Sequence, residues 1–146
     1  MATQLFTNNA TGSLVSSISS SATSLVLTAG QGALFPTITG ADYFLVTLFD
    51  NSSVLEICKC TARSSDTLTV TRAQEGTTAS GFATGSLCEL RATKGTYEGV
   101  FTSATTAAAA AGAASTSATN AATSATNASA SATTASTQAT NAATSA

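Results

Sequence analysis

The sequence predicts a small all-β domain, an antiparallel barrel or sandwich, followed by a long α-helical coiled-coil stalk. Short segments rich in β-branched, aromatic and aliphatic residues recur between residues 24 and 92, with polar turns between them. Every charged residue lies between Asp42 and Glu98, so the middle of the chain has the composition of a folded domain and the flanks do not. After Gly99 almost every residue is alanine, serine, threonine or asparagine, and this segment repeats with a period of seven.

Five segments have the composition of β-strands: SLVLT (24–28), DYFLVTLFD (42–50), VLEICKCTAR (54–63), TLTVTR (67–72) and LCELRA (87–92). Residues 50–53 and 64–66 are compact polar turns typical of hairpins, which favours an antiparallel sheet. The strand at residues 43–49 is apolar on both faces. One face fits the domain core. The other needs cover from either a second layer of the domain or a partner subunit.

We divide the chain into an N-terminal docking arm (1–23), a β-rich attachment domain (24–94) and a heptad-repeat stalk (95–146). Residues 8–21 are polar with scattered apolar positions, which fits a short helix or an extended arm. Two groups of apolar residues are candidate docking residues. They are Leu5 and Phe6 near the N-terminus, and Leu34, Phe35 and Pro36 in the segment GQGALFP. The group in the segment GQGALFP has an alternative interpretation, as a loop that closes one end of the barrel.

A seven-residue register places alanine on one stripe of the predicted stalk. From residue 117 onward each unit has alanine at its second and fifth places, as in SATNAAT (117–123) and SATNASA (124–130). Alanine makes up 20 of the 44 residues from 103 to 146, so composition alone would place it at fewer than half of the positions on this stripe. It occupies all of them, which shows that the seven-residue register selects alanine. The spacing alternates three and four, as the a and d positions of a left-handed coiled coil do. The predicted seam consists of Tyr97, Val100, Ala104, Ala107, Ala111, Ala114, Ala118, Ala121, Ala125, Ala128, Ala132, Ala135, Ala139, Ala142 and Ala146.

An alanine seam is weak in each layer, because a buried methyl group contributes only about 0.8 kcal/mol. Alanine offsets this with the highest helix propensity and with a small side chain that lets helix backbones approach closely. We therefore expect a helix that is stable only in the assembly, with Gly112 as a candidate kink. The lack of charges beside the seam favours association of identical chains. A disordered linker and a β-structured fibre are the alternatives for this segment.

The composition argues against catalysis and against binding to nucleic acid or membranes. The sequence has no histidine, its seven acidic residues are scattered, and it lacks a phosphate-binding loop, so we expect neither an enzyme nor a cofactor. Five lysine and arginine residues among seven acids form no basic patch for phosphates. No run reaches the roughly 18 strongly apolar residues that a membrane helix needs.

The remaining residues of interest have structural interpretations. Cys58, Cys60 and Cys88 match no zinc motif, and we expect them to be small buried hydrophobic residues, with an intersubunit disulfide as the alternative. In the long loop after TLTVTR, we expect Arg72 to form a local ion pair with Glu75. Phe82, in the same loop, is expected to pack into the core.

Three stretches resemble the N-terminal region of tail-fibre proteins from tailed bacteriophages. They are LFTNNATGSLVSSIS (5–19), GQGALFP with the following DYFLVTL (30–48), and LTVTRAQEGTTASGFATGSLCELRA (68–92). The alanine-rich heptads are also similar to the stalk repeats that follow such domains. The sequence departs from the pattern at Ala73, where glycine is more frequent, and at Ser86, where an acid is common. Both departures fall in turns.

The resemblance implies a homotrimer whose N-terminal domain attaches to the phage tail or baseplate. It also implies that a distal region, not present here, binds the host receptor, so we expect this chain to be the start of a longer fibre. The protein would be made and assembled in the host cytoplasm and reside in the virion. A head or collar fibre is one alternative. A carbohydrate-binding β module on a flexible linker is another.

Overall fold

The computed structural model describes residues 2–50 and 54–145 of the chain. The chain divides into two compact units, Met1–Tyr97 and Glu98–Ala146. Residues Asn51–Ser53 of one predicted turn, and Ala146 of the predicted seam, lie outside the described residues. The elements in chain order are β1 (Thr11–Ser13), β2 (Ser24–Val26), the 3-10 helix η1 (Gln31–Leu34), β3 (Phe44–Phe49), β4 (Leu55–Ser64), β5 (Thr67–Gln74), β6 (Leu87–Glu89) and α1 (Lys94–Thr144).

The strands form one curled antiparallel sheet, a half-barrel, in the order β1-β6-β3-β4-β5-β2. Strand β3 is central and pairs along its whole length with β4, with Phe44 opposite Cys60 and Phe49 opposite Leu55. The residues that directly follow the edge strands β1 and β2 meet at an isolated bridge between Leu14 and Leu27. This bridge covers backbone groups that an open edge would present to another chain. The prediction of a small antiparallel β domain followed by a long helix is therefore confirmed.

Each of the five predicted strand segments contains a strand, whereas β1 was not predicted. It lies in residues 8–21, interpreted from sequence as a short helix or an extended arm, and it pairs with β6. Single bridges also join Gln4 to Tyr43 and Ile18 to Phe82. The segment 1–23 is thus paired with the sheet at several points, and its docking role stays a prediction.

The core fills the inside of the curled sheet, and its largest fully buried side chain is Phe44. Phe35 stacks on Phe44 with 5.8 Å between the ring centres. The outer face of β3 is covered as well, since Leu45 and Thr47 are only 7% and 3% exposed in the single chain. The middle of this face is therefore buried within the single chain, while Tyr43 and Phe49 at its two ends are only partly buried. Phe82 packs in the core as predicted.

The three cysteines are free and buried among these apolar side chains, as predicted. Burial is the main cause that raises the pKa of Cys58 to about 12 and that of Cys60 to about 11. Burial likewise raises the pKa of Cys88. Because the thiolate is the reactive form, all three thiols are poorly reactive at neutral pH.

A buried ion pair joins Glu56 of β4 to Arg72 of β5. The guanidinium donates two hydrogen bonds to the carboxylate, at 2.8 and 2.6 Å, and the two side chains are 6% exposed for Arg72 and fully buried for Glu56. Burial alone would raise the pKa of Glu56, but hydrogen bonds from Arg72 and from two backbone N–H groups outweigh it and lower that pKa. The predicted pair between Arg72 and Glu75 is wrong, because Arg72 points inward while Glu75 lies in a turn and bonds elsewhere.

The same ion pair fastens two loops to the sheet. Arg72 also donates to the carbonyl oxygens of Ser19, Ala22 and Ser80. Glu56 accepts hydrogen bonds from the backbone N–H groups of Ala73 and Ser80. The pair therefore fixes the loop before β2 and the loop after β5 in one arrangement.

We expect Glu56→Gln to lower the free energy of unfolding by about 3 kcal/mol or more, because it leaves the Arg72 charge buried without a counter-charge. Glu89→Gln is the matched control. It removes the partner of Arg91 in a pair whose side chains are 45% and 26% exposed, so the cost should stay below about 1 kcal/mol. Urea denaturation at a fixed protein concentration measures both. Equal losses in the two variants would contradict the role assigned to the buried pair.

A second carboxylate holds the segment that carries η1. Asp66 accepts hydrogen bonds from the backbone N–H groups of Gly30, at 3.0 Å, and Gly32, at 2.8 Å. These two bonds, from Gly30 and then Gly32, lower the pKa of Asp66. Gly32 is needed for this approach, because a Cβ there would collide with the carbonyl oxygen of Ser65.

The lowered pKa of Asp66 predicts a loss of stability in acid. The unfolded chain takes up the proton first, near the ordinary aspartate pKa of about 3.9. The contribution of Asp66 is therefore complete above that pH and is lost as the pH falls through the lower folded-state pKa. Denaturation curves between about pH 6 and pH 2.5 should show a shallower fall for Asp66→Asn than for the wild type. Parallel curves for the two proteins would refute this.

Candidate assembly and docking surfaces

The helix α1 begins at a hydrogen-bonded cap within the first unit. The Thr93 carbonyl accepts the first helical bond, from Tyr97 N–H at 3.3 Å. The Thr93 hydroxyl accepts from Thr96 N–H at 3.3 Å, and the Thr96 hydroxyl accepts from Thr93 N–H at 3.5 Å. This reciprocal pattern is a capping box with threonine in place of the usual acid. It satisfies backbone N–H groups that a helix start otherwise leaves unpaired.

Two side chains from the β domain hold this cap. The Glu75 carboxylate accepts hydrogen bonds from the Thr93 hydroxyl, at 2.6 Å, and from Gly95 N–H, at 3.1 Å. The Gln4 side-chain amide donates to the Thr96 hydroxyl at 2.9 Å. A carboxylate at a helix N-terminus also interacts favourably with the helix dipole. The first turn of α1 is therefore tied to both the turn after β5 and the N-terminal segment.

The turn that presents Glu75 has an unusual backbone. Ala73, Glu75 and Gly76 all have positive φ angles, of 56°, 52° and 79°. Such angles cost energy in Ala and Glu, so the surrounding bonds must hold them. Those bonds include Ala73 N–H to Glu56 and the Thr77 hydroxyl to the Gln74 carbonyl, at 2.9 and 2.7 Å.

A cleft of about 270 Å³ opens beside the first turn of α1. Its apolar surface comes from Tyr43 and Leu45, and the Lys59 ammonium lies 4.3 Å from the centre of the Tyr43 ring. The complete lining is Gln4, Tyr43, Leu45, Lys59, Gln74, Glu75, Gly95 and Thr96. The cleft therefore combines an apolar part with polar groups of the helix cap.

The helix α1 is 51 residues long, and none of its described residues is buried. The predicted seam residues Tyr97 and Val100 are 58% and 62% exposed, and the seam alanines from Ala104 to Ala142 are exposed too. Phe101 is 69% exposed and lies outside the predicted seam. The sequence signal for Phe101 is its distance of four residues from Tyr97, which places both rings on neighbouring positions of one helix face. The helix is continuous through Gly112, the candidate kink.

Small side chains occupy more of the heptad positions of α1 than the a and d positions of the seam. With Tyr97 at position a, every residue at positions a, d, e and g from Ser103 to Ser145 is alanine or serine, except Gln138. Every threonine from Thr105 to Thr144 falls at b, c or f. Each of these threonine hydroxyls donates to the carbonyl four residues earlier, at 2.9 to 3.1 Å. The helix thus has one wide face of small side chains and an opposite face whose hydroxyls are satisfied by its own backbone.

The predicted docking residues fall into two groups. Phe6 and Leu34 are 52% and 48% exposed and are available for contact. Phe35 lies in the core, while Leu5 packs against the core from a partly buried position. Pro36 is also partly buried, and its carbonyl accepts a hydrogen bond from Arg63 at 3.1 Å. The segment GQGALFP therefore supplies one buried ring and one exposed side chain, and its docking role stays a prediction.

Within 2–50 and 54–145, no three His, Cys, Asp or Glu residues are grouped so that they could hold a metal ion. In the same part of the chain, no helix is both long and apolar enough to cross a membrane. The chain matches no protein-family model and no curated protein.

Two glycines near the start of α1 test the contact made by Glu75. A Cβ at Gly95 would lie 2.5 Å from Glu75 Oε1, whereas a Cβ at Gly99 would meet nothing within 4 Å. Gly99→Ala should therefore raise the free energy of unfolding by up to about 1 kcal/mol, through helix propensity alone. Gly95→Ala should gain less or lose stability, because the Glu75 carboxylate must leave the helix cap.

Thermal unfolding followed by circular dichroism measures both glycine variants. Adding Glu75→Gln to each variant supplies the control. Glu75→Gln should weaken the contact between this side chain and the helix cap. The changes in unfolding free energy caused by Gly95→Ala and Gly99→Ala should therefore differ less in this background. Equal gains from Gly95→Ala and Gly99→Ala in the wild-type background would show that the Glu75 contact does not stabilise the helix start.

Proposed function

We propose that this chain is a structural virion protein, the N-terminal region of a bacteriophage tail fibre, and that it performs no catalysis. In this proposal three identical chains associate in parallel through the seam on α1 and form a coiled-coil stalk. The β domain attaches the fibre to the tail or baseplate. Receptor binding belongs to a distal region beyond this chain.

The observation that carries the proposal is a 51-residue helix that buries none of its described residues and yet has an unbroken stripe of methyl groups. Helices in proteins owe most of their stability to packing of an apolar face. Asparagine, serine and threonine do not favour an isolated helix. Packing against identical helices supplies the missing contacts, with about 0.8 kcal/mol from each buried methyl group added over many layers.

The width of the small-residue face favours three helices over two. In a two-stranded coiled coil, positions a and d are buried, while e and g stay at the edge of the contact. Here e and g are also alanine or serine, with Gln138 and Phe101 as exceptions after position 100. A helix that touches two neighbours makes contacts on both sides of its seam, and small side chains there let both neighbours approach closely. The resemblance to trimeric tail fibres agrees with this count.

Attachment through the β domain rests on the resemblance and on exposed apolar side chains. Phe6 lies just after Leu5, whose backbone N–H donates to Tyr43 at 2.7 Å, so its position is fixed at the end of a paired segment. The backbone at Leu34 is anchored differently, because the neighbouring Phe35 packs in the core. Two ordered apolar side chains are suited to a docking contact with another protein of the tail.

The assembly is tested by placing the same charge on and off the seam. Ala121→Asp puts a carboxylate at position d of each helix, where three would be buried together. We expect the association free energy to fall by about 3 kcal/mol or more, roughly a hundredfold in affinity. Thr123→Asp, two residues away at position f, should leave association nearly unchanged.

Sedimentation equilibrium gives the mass and affinity of both variants and of the wild type. A wild-type chain that remains a monomer at high concentration would overturn the proposed stalk, as would equal effects of the two substitutions. The location of the protein then separates the remaining alternatives. Antibodies against the β domain should label the tail of the virion, while labelling of the head or collar would favour the other fibre class. Binding of glycans by the chain would favour a carbohydrate module.

A further inference from the structure

Phe101 is the most exposed large apolar side chain among the described residues, at 69%. In the heptad register it occupies position e, one residue after the seam residue Val100. All later e positions along α1 are alanine or serine, so Phe101 is the one large apolar side chain at position e. An aromatic ring left in water is unfavourable, and its burial contributes more than that of any methyl group on the seam.

The register also determines which residue of a neighbouring helix Phe101 would face. In a parallel coiled coil, position g of one helix lies next to position e of its neighbour, five residues further along the chain. Five residues before Phe101 is Thr96, at position g. Thr96 belongs to the helix cap, where its hydroxyl is held by Gln4 and Thr93.

Thr96 also lines the 270 Å³ cleft beside the first turn of α1. Its lining also includes Tyr43, whose ring lies under the Lys59 ammonium, and Leu45, which is 7% exposed. The cleft is large enough to hold a phenylalanine ring, and Tyr43 gives that ring an aromatic partner. Within α1 itself, Thr96 and Phe101 point about 140° apart around the axis, so the two residues face different neighbours.

We propose that the Phe101 side chain of each copy inserts into the cleft beside Thr96 of the next copy. This inference rests on the proposed parallel assembly. It identifies a contact between neighbouring chains beside the first seam layers, at Tyr97 and Val100. The site is incomplete in a single chain, because its occupant comes from the neighbour. Around a three-fold assembly, the contact repeats three times and locks each helix to the β domain of the adjacent chain.

A disulfide cross-link tests this contact directly. The double variant Thr96→Cys with Phe101→Cys should form covalent oligomers under mild oxidation, seen on non-reducing gels. A bond within one chain is excluded, because the two positions are about 7.5 Å apart along the axis and on different faces. The natural cysteines do not interfere, since all three are buried.

Two controls separate the failure of this contact from the failure of the assembly. Thr96→Cys with Thr102→Cys moves one thiol to position f and should give no cross-link. Ala107→Cys, at position d of the seam, should cross-link whenever the parallel coiled coil forms. Cross-links at Ala107→Cys without any at the 96/101 pair would overturn the Phe101 contact and leave the stalk standing. Equal cross-linking of the 96/101 and 96/102 pairs would also overturn the Phe101 contact. If neither Ala107→Cys nor the 96/101 pair formed cross-links, both the contact and the coiled-coil stalk would be overturned.

A second measurement covers the case in which the cysteine variants do not fold. Phe101→Ala should weaken association by about tenfold or more in sedimentation equilibrium, as expected for losing a buried phenylalanine side chain. Thr102→Ala is the neighbouring control and should leave the affinity unchanged. Equal affinities for Phe101→Ala and the wild type would overturn the proposal.

Discussion

The β domain depends on the buried pair between Glu56 and Arg72. A charge without a partner in that position would be strongly unfavourable, so each side chain requires the other. The pair also fixes the path of the chain beyond the two strands that carry it, because its remaining hydrogen-bonding groups take up carbonyl and N–H groups from two loops. One of those loops places Glu75 against the first turn of α1. Hydrogen bonds thus connect the buried ion pair to the loop after β5, and Glu75 of that loop to the first turn of α1.

Local pattern was enough to predict the longer strands and the helix, since alternation in β4 and β5 and the seven-residue repeat are properties of neighbouring residues. It was not enough for β1, whose three residues have little strand character and pair with a strand far along the chain. The partner of Arg72 was missed for a related reason: Glu56 is distant in sequence and reaches Arg72 only once the sheet has formed. The cleft beside Thr96 likewise combines five separate parts of the chain.

In the proposed assembly, the composition of α1 balances solubility of the single chain against association. A seam of larger side chains would bind more strongly in each layer, but a single chain would then present a broad apolar surface before assembly. Alanine keeps that surface modest, and the threonine hydroxyls on the opposite face bond to the helix itself. The larger side chains Tyr97, Val100 and Phe101 are confined to the beginning of the helix, next to the folded domain. In the proposed assembly, association would begin there and extend along the weaker layers.

In the proposed assembly, the uniform repeat has a further consequence for how the chains align. Because every layer after Val100 is alanine, sliding one helix by seven residues, about 10 Å, leaves the seam fully matched. The repeat by itself cannot distinguish the correct alignment from a shifted one. Only the non-repeating beginning of α1, held by Gln4 and Glu75, differs from the rest. Alignment and length are then independent properties, so whole repeats can be gained or lost in evolution while the chains still come together in step.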